Sequence, residues 1–139
     1  MKIFLDANIL VTVLCNEYPL FTSCARVLSL ADNSRFIVCT SPLSLAIGFY
    51  FAEKKSGSSQ ARKKIAVLSE KLQITEIEAA TVQSTNANSA IEDFEDGLQY
   101  YSAQKYGCTC IVTEDKRGFY FSEIEVLSAI DFLNIHVIK

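Results

Sequence analysis

The sequence has very little histidine, and its cysteines lack the spacing of a zinc site. It has one histidine, His136, and five cysteines in 139 residues. Cys108 and Cys110 form a C-x-C pair rather than C-x-x-C, so a zinc site of Cys and His is disfavoured. An odd number of cysteines without a secretory leader predicts reduced thiols in a cytoplasmic protein.

Two further absences concern membranes and nucleic acid. No apolar run approaches the roughly 18 residues of a membrane-spanning helix, and we expect no membrane association. Thirteen Lys and Arg stand against sixteen Asp and Glu, for a net charge of −3. This charge excludes a non-specific nucleic-acid coat, because no overall positive field attracts phosphates, but it leaves a local binding site open.

What the sequence does have is enough apolar material for one folded domain. Half of the residues are hydrophobic, and only two prolines and five glycines interrupt them. This composition excludes disorder, and the length predicts a single domain over residues 1–139.

Short apolar runs alternate with helical segments, which predicts a three-layer α/β/α fold around a central, mainly parallel sheet. The helix that begins at Ser41-Pro42 has apolar residues on all sides and is predicted to be central and buried. The predicted strands cover residues 2–5, 36–39, 72–75, 110–113 and 136–139. The other predicted helices cover residues 7–15, 20–31, 60–71, 76–84, 93–107 and about 125–133.

Acidic residues follow two of the predicted strands and begin one predicted helix. Asp6 comes directly after the first strand, Asp115 follows the fourth strand by two residues, and Glu95 and Asp96 lie in the first turn of the helix at 93–107. In parallel α/β folds, sites form at the carboxyl ends of the strands. Carboxylates that converge there repel each other unless a cation joins them, and oxygen ligands without His or Cys indicate Mg²⁺ or Mn²⁺.

Most of these acids also have a purely structural interpretation. Asp93 could cap the helix, Asp96 could complement the helix dipole, Glu92 could be solvated, and Asp115 could belong to an ordinary turn. Asp6 is the exception, because a carboxylate between two apolar stretches is costly to bury without a partner.

Four segments of the chain resemble the PIN-domain ribonucleases, and in particular their VapC-like branch, in order and spacing. They are IFLDANILVTVL, TSPLSLAIGFYF, DFEDGLQYYSAQKYG and CIVTEDKRGF. The resemblance covers essentially the whole chain. It implies a parallel central sheet and Mg²⁺- or Mn²⁺-dependent cleavage of RNA, commonly as the toxin of a toxin–antitoxin pair.

The resemblance also implies roles for individual residues. Asp6, Asp96 and Asp115 match the acids that hold the metal. The other matched positions are the polar neighbour of the first acid, the acid beside Asp96 and the threonine that ends the fourth strand: Asn8, Glu95 and Thr113.

This chain departs from the family pattern at two positions. Ala46-Ile47 stands where the family usually has Glu or Asn, and Gly118 stands where a further Asp is common. The apolar residues at 46 and 47 put one metal position in doubt, so this branch is expected to hold one ion tightly.

Basic residues offer two interpretations. Lys116 and Arg117 lie beside Asp115 and are candidates to contact the scissile phosphate. A second group could form a patch for the RNA backbone or simply a solvated helix face: Lys54, Lys55, Arg62, Lys63 and Lys64.

The leading functional hypothesis is a metal-dependent endoribonuclease that acts on RNA and is paired with a small antitoxin protein. The alternative is a catalytically weakened PIN-fold module that binds RNA or protein. A phosphoacceptor receiver is disfavoured because Asp6 has no acidic neighbour. The apolar residues Leu14, Leu20 and Phe21 predict a homodimer, because they exceed what one small sheet needs.

Overall fold

The computed structural model describes residues 1–138 and has five parallel strands in the order β3-β2-β1-β4-β5. Each strand is short, and β1 at the centre is buried from Ile3 to Leu5. This parallel α/β architecture is the predicted fold class. The strands are β1 Lys2–Leu5, β2 Ile37–Thr40, β3 Gln73–Ile74, β4 Cys110–Val112 and β5 Glu125–Leu127.

Helices cover both faces of the sheet. The α-helices are α1 Ala7–Leu14, α2 Phe21–Ser29, α3 Pro42–Ser56, α4 Ser58–Lys71, α5 Ala79–Ala87, α6 Phe94–Lys105 and α7 Ala129–Phe132. Alternate residues of β1 divide the core, since Ile3 and Leu5 pack with α1, α2, α4 and α7, whereas Phe4 packs with α6. A 3₁₀ turn, Lys116–Phe119, follows β4 and contributes Phe119 to the second cluster. None of the helices within residues 1–138 is long and apolar enough to cross a membrane.

The structure corrects the prediction that α3 is buried on all sides. Its buried residues are the small ones, Ser44, Gly48 and Ala52, whereas Tyr50 and Phe51 are exposed. The small residues let α1 pack closely, because a Cβ at Gly48 would lie 3.0 Å from Leu14 Cδ1. Tyr50 and Phe51 are therefore on the exposed side of α3, whereas Leu45 and Phe49 are partly buried against the core.

The predicted C-terminal elements are wrong in part, although the helix α7 lies within the predicted helix near 125–133. Residues Glu125–Leu127, predicted to begin a helix, form the edge strand β5 beside β4. Residues Leu133–Val137, predicted in part as a strand, continue α7 as a π-helical turn, and Lys139 lies outside the described residues. A three-residue strand is stabilised by its ladder with β4, which local sequence does not reveal.

Candidate functional site

The site begins where β1 ends, at Asp6. This residue is the N-cap of α1 and only 6% exposed. Its Oδ1 accepts a hydrogen bond from Ala7 N–H at 2.8 Å, and its Oδ2 accepts one from the Thr113 hydroxyl at 2.9 Å. These hydrogen bonds explain how a carboxylate is buried between two apolar stretches, since each of its oxygens has a polar partner.

Thr113 links the two central strands at their carboxyl ends. While donating to Asp6, its hydroxyl oxygen accepts hydrogen bonds from the Asn8 side-chain amide and from Asp115 N–H, both at 3.0 Å. Asn8 Oδ1 in turn accepts from Glu114 N–H at 3.1 Å. Asn8 and Thr113 thus fix the orientation of Asp6 and the path of the chain that leads to Asp115.

The start of α6 brings two more predicted acids to the same edge. Asp93 caps the helix, because its Oδ1 accepts hydrogen bonds from Glu95 N–H at 2.9 Å and Asp96 N–H at 3.4 Å. The capping interpretation of Asp93 is therefore confirmed. The cap turns Glu95 and Asp96 toward the end of β1, where both line one pocket with Asp6 and Asp115.

Because residue 118 is a glycine, the carboxylates of Asp96 and Asp115 can lie close to its backbone. A Cβ at position 118 would overlap Asp96 Oδ2 and would lie 3.5 Å from Asp115 Oδ2. The two carboxylates therefore flank the backbone of the 3₁₀ turn. A side chain at 118 would displace at least one of them.

The pocket has a volume of about 350 Å³ and is strongly acidic. Ile47, at the departure from the family pattern, and Phe51 form its apolar wall. The sequence did not indicate Glu17, which also lines the pocket after the chain leaves α1 through Asn16, whose φ is 52°. No motif marks Glu17, because its position depends on this left-handed turn.

Three carboxyl groups in this pocket have a raised pKa, those of Asp6, Glu95 and Asp96. Burial is the main cause that raises the pKa of Asp6 to about 6, and the charges of Glu95 and Asp115 add to it, against the hydrogen bonds from Ala7 and Thr113. Burial, followed by repulsion from Asp6, raises the pKa of Asp96 to about 7. Burial also raises the pKa of Glu95.

These carboxyl groups have the chemistry of a site for a hard divalent cation. Mutually repelling carboxylates that share a pocket are stabilised when a cation replaces their protons. Among residues 1–138, no three Asp, Glu, His or Cys side chains already surround one point at ligand distance. The chemistry of these carboxylate oxygens nevertheless suits Mg²⁺ or Mn²⁺.

The basic residues that the sequence indicated as candidates make different contacts in the structure. Lys55 Nζ contacts Cys15 O, and Lys64 Nζ donates to Leu14 O at 3.0 Å, so both bind the C-terminal carbonyls of α1. Lys116 lies 3.7 Å from Asp131. Arg117 has no carboxylate within 4 Å in the described chain and lines a cleft next to the acids.

The parallel sheet in the order β3-β2-β1-β4-β5 carries acids after β1 and β4, an arrangement that agrees with the sequence comparison. Residues 2–117 match the family model of the PIN domain, and the chain belongs to this family. The resemblance seen in the four sequence segments is therefore confirmed.

Individual relatives cover nearly the whole chain. Ribonuclease VapC1 of Aquifex aeolicus (strain VF5) is 28% identical over 136 residues, which are 94% of this chain and 92% of that protein. VapBC-1 of nontypeable Haemophilus influenzae has a TM-score of 0.70 at 16% identity, over 94% of this chain and 99% of that one. VapBC2 of Rickettsia felis, bound to a promoter DNA fragment, has a TM-score of 0.68 at 19% identity, over 92% and 98%. At these identities the solved structures show a shared fold.

Proposed function

We propose that this protein is a metal-dependent endoribonuclease that hydrolyses phosphodiester bonds of RNA. The observation that carries the proposal is the pocket in which Asp6, Asp96 and Asp115 meet from three separate segments of a PIN fold. The relation to a ribonuclease along 94% of the chain supports the reaction class.

In this proposal Asp6, Asp96 and Asp115 hold Mg²⁺ or Mn²⁺. The bound cation would activate a water and offset the charge that develops on the phosphate. Asp6 is kept in one orientation by Thr113, which also fixes the backbone at Asp115. Asn8 and Thr113 are positioning residues, and Glu95 adds a further carboxylate at the mouth of the pocket.

We further propose that the protein acts in the cytoplasm as the toxin of a type II toxin–antitoxin pair, held inactive by a small antitoxin protein. The support is the fold shared with toxin–antitoxin complexes of other organisms, among them VapBC-1 and VapBC2.

A second candidate function keeps the fold without efficient catalysis. Ile47 lines the acidic pocket where the family usually has an acid or amide, so one metal ligand is replaced by an apolar surface. This observation favours a module that binds RNA or protein and cleaves slowly or not at all.

Cleavage of a generic single-stranded RNA separates the two candidates. We expect cleavage by the parent protein in Mn²⁺, its abolition by chelator, and a loss of activity of at least about a hundredfold in Asp6→Asn, since that carboxylate is a proposed ligand. Asp32→Asn is the matched control, because Asp32 pairs with Lys71 on the surface away from the pocket. A parent protein without Mn²⁺-dependent cleavage, or an active Asp6→Asn variant, would contradict the nuclease proposal.

A further inference from the structure

A second cleft lies directly beside the acidic pocket and shares Asp115 with it. Its volume is about 580 Å³, and its lining comprises Glu92, Asp115, Arg117, Gly118 and Tyr120. Because Asp115 faces both spaces, a chain lying across it would reach the acids and this cleft together. The cleft is therefore suitably placed for a part of a polymer next to the bond that is cut.

Arg117 supplies a positive charge where the surroundings are acidic. It is the one Lys or Arg among the described residues that line the two clefts. Its neighbour Lys116 is oriented toward Asp131 instead. A guanidinium without a carboxylate partner is free to bind a phosphate through two of its N–H groups.

Tyr120 supplies an exposed aromatic ring that is held in place. Its side chain is 57% exposed, although its hydroxyl donates to Ala90 O in the loop before α6. The ring also packs edge-to-face on Phe121, with centroids 5.9 Å apart and an angle of 87° between the planes. Phe121 in turn packs on Tyr100 in the core. A ring fixed in this way loses little freedom when a base stacks on it.

We propose that this cleft binds one unpaired nucleotide of the RNA substrate, with its base stacked on Tyr120 and its phosphate against Arg117. Glu92, at the same cleft, repels phosphate and accepts hydrogen bonds from base N–H groups, which orients the base toward it. The inference rests on the proposed function, because it assigns a substrate subsite to that same acidic edge. It requires single-stranded RNA, since both faces of a base within a duplex are already stacked on neighbouring bases.

The test is the binding of a labelled single-stranded oligoribonucleotide to the full chain in chelator, where no cleavage occurs. Tyr120→Ala is expected to weaken binding by at least about fivefold. Tyr120→Phe loses the hydroxyl contact with Ala90 O but keeps the ring and its packing on Phe121, and is expected to remain within about twofold of the parent. Arg117→Ala is expected to weaken binding and to lower the slope of log affinity against log salt by about 0.7. Lys116→Ala, next to it in sequence, is the matched control and should keep the parent slope.

Binding of the same sequence as a duplex should not depend on Tyr120. The subsite is wrong if Tyr120→Ala and Arg117→Ala bind the single strand like the parent. It is also wrong if Lys116→Ala lowers the slope as much as Arg117→Ala, or if Tyr120→Phe loses as much affinity as Tyr120→Ala. If the subsite variants behave as expected and the parent does not cleave RNA in Mn²⁺, the proposed function fails while the subsite stands.

Discussion

A single hydroxyl group connects most of the predicted site residues. Thr113 donates one hydrogen bond and accepts two, and in this way ties Asp6, Asn8 and the backbone of Asp115 together. The sequence indicated Asp6 and Asp115 because each follows a strand. Thr113 can link them only because β1 pairs with β4 in parallel. This pairing brings Thr113 into contact with Asp6, 107 residues away in the sequence.

The positions of the Glu17 and Ile47 side chains in the acidic pocket could not be predicted from the sequence. Ile47 was recognised as a departure from a family pattern, but the sequence could not say whether its side chain faces the acids or the core. It lines the acidic pocket. Glu17 carried no signal, because a turn of backbone brings it to the pocket rather than a periodic pattern.

We expect the metal-free protein to become less stable as pH rises from about 4 to about 7. The pKa values of Asp6 and Asp96 are about 6 and about 7 in the folded protein, above the ordinary value of 3.8. In this range the folded protein binds protons that the unfolded chain has released, so the free energy of unfolding falls with rising pH. Thermal unfolding in chelator across this range measures the slope.

The Asp6→Asn variant provides the control for that slope. The amide removes one of the groups whose pKa is raised, so the variant should be more stable than the parent near neutral pH and should show a shallower pH dependence. A parent protein whose unfolding temperature increases across the same range would contradict the assignment.

Restoring a carboxylate at position 47 is expected to strengthen metal binding. Ile47 lines the pocket and is half-buried, so Ile47→Glu would add a ligand on the wall that is now apolar. We expect about tenfold tighter binding of Mn²⁺ by calorimetry, because affinity increases with the number of charged ligands. Ala46→Glu is the matched control, since Ala46 is exposed and does not line the pocket. Equal gains in both variants would indicate a general charge effect instead.

At the scale of elements, the first half of the chain follows its sequence closely and the C-terminal end does not. Asp6 caps α1 and Ser41 caps α3, so local chemistry sets both helix starts. The sequence does not reveal the buried side of α3, because apolar residues surround the helix and the residues that are fully buried are small ones. The strand β5 was missed because three residues carry no period, and only the ladder with β4 selects their conformation.

A lysine of α4 binds the C-terminal end of α1. Lys64 donates to Leu14 O, one of the C-terminal carbonyls of α1 that lack partners within the helix. We expect Lys64→Ala to lower the free energy of unfolding by about 1 kcal/mol. Lys63→Ala removes an exposed neighbour of the same charge and should change it by less than about 0.5 kcal/mol. Denaturant unfolding of both variants compares them, and equal losses would refute a capping role.

At the scale of the whole molecule, the prediction of a homodimer remains to be tested. Leu14 belongs to the core and cannot contribute, but Leu20 is 42% exposed and Tyr18, beside it, is 71% exposed. We expect light scattering to give twice the chain mass of 15.5 kDa. Leu20→Asp should shift the protein toward monomer, whereas Val82→Asp, on the exposed side of α5, should not. A parent mass of 15.5 kDa would contradict the prediction.

Gly118 also limits how this site can change over evolution. In the family pattern given by the resemblance, an acid is common near this position. Here the carboxylate of Asp96 already fills the space that a Cβ would need. A single substitution at 118 would therefore require the Asp96 carboxylate to move from its present position. A substitution that adds a fourth carboxylate to the pocket without this contact is available in α3, where Ile47 lines it. In the present sequence, the space at position 118 is used by the carboxylates of two other residues, Asp96 and Asp115.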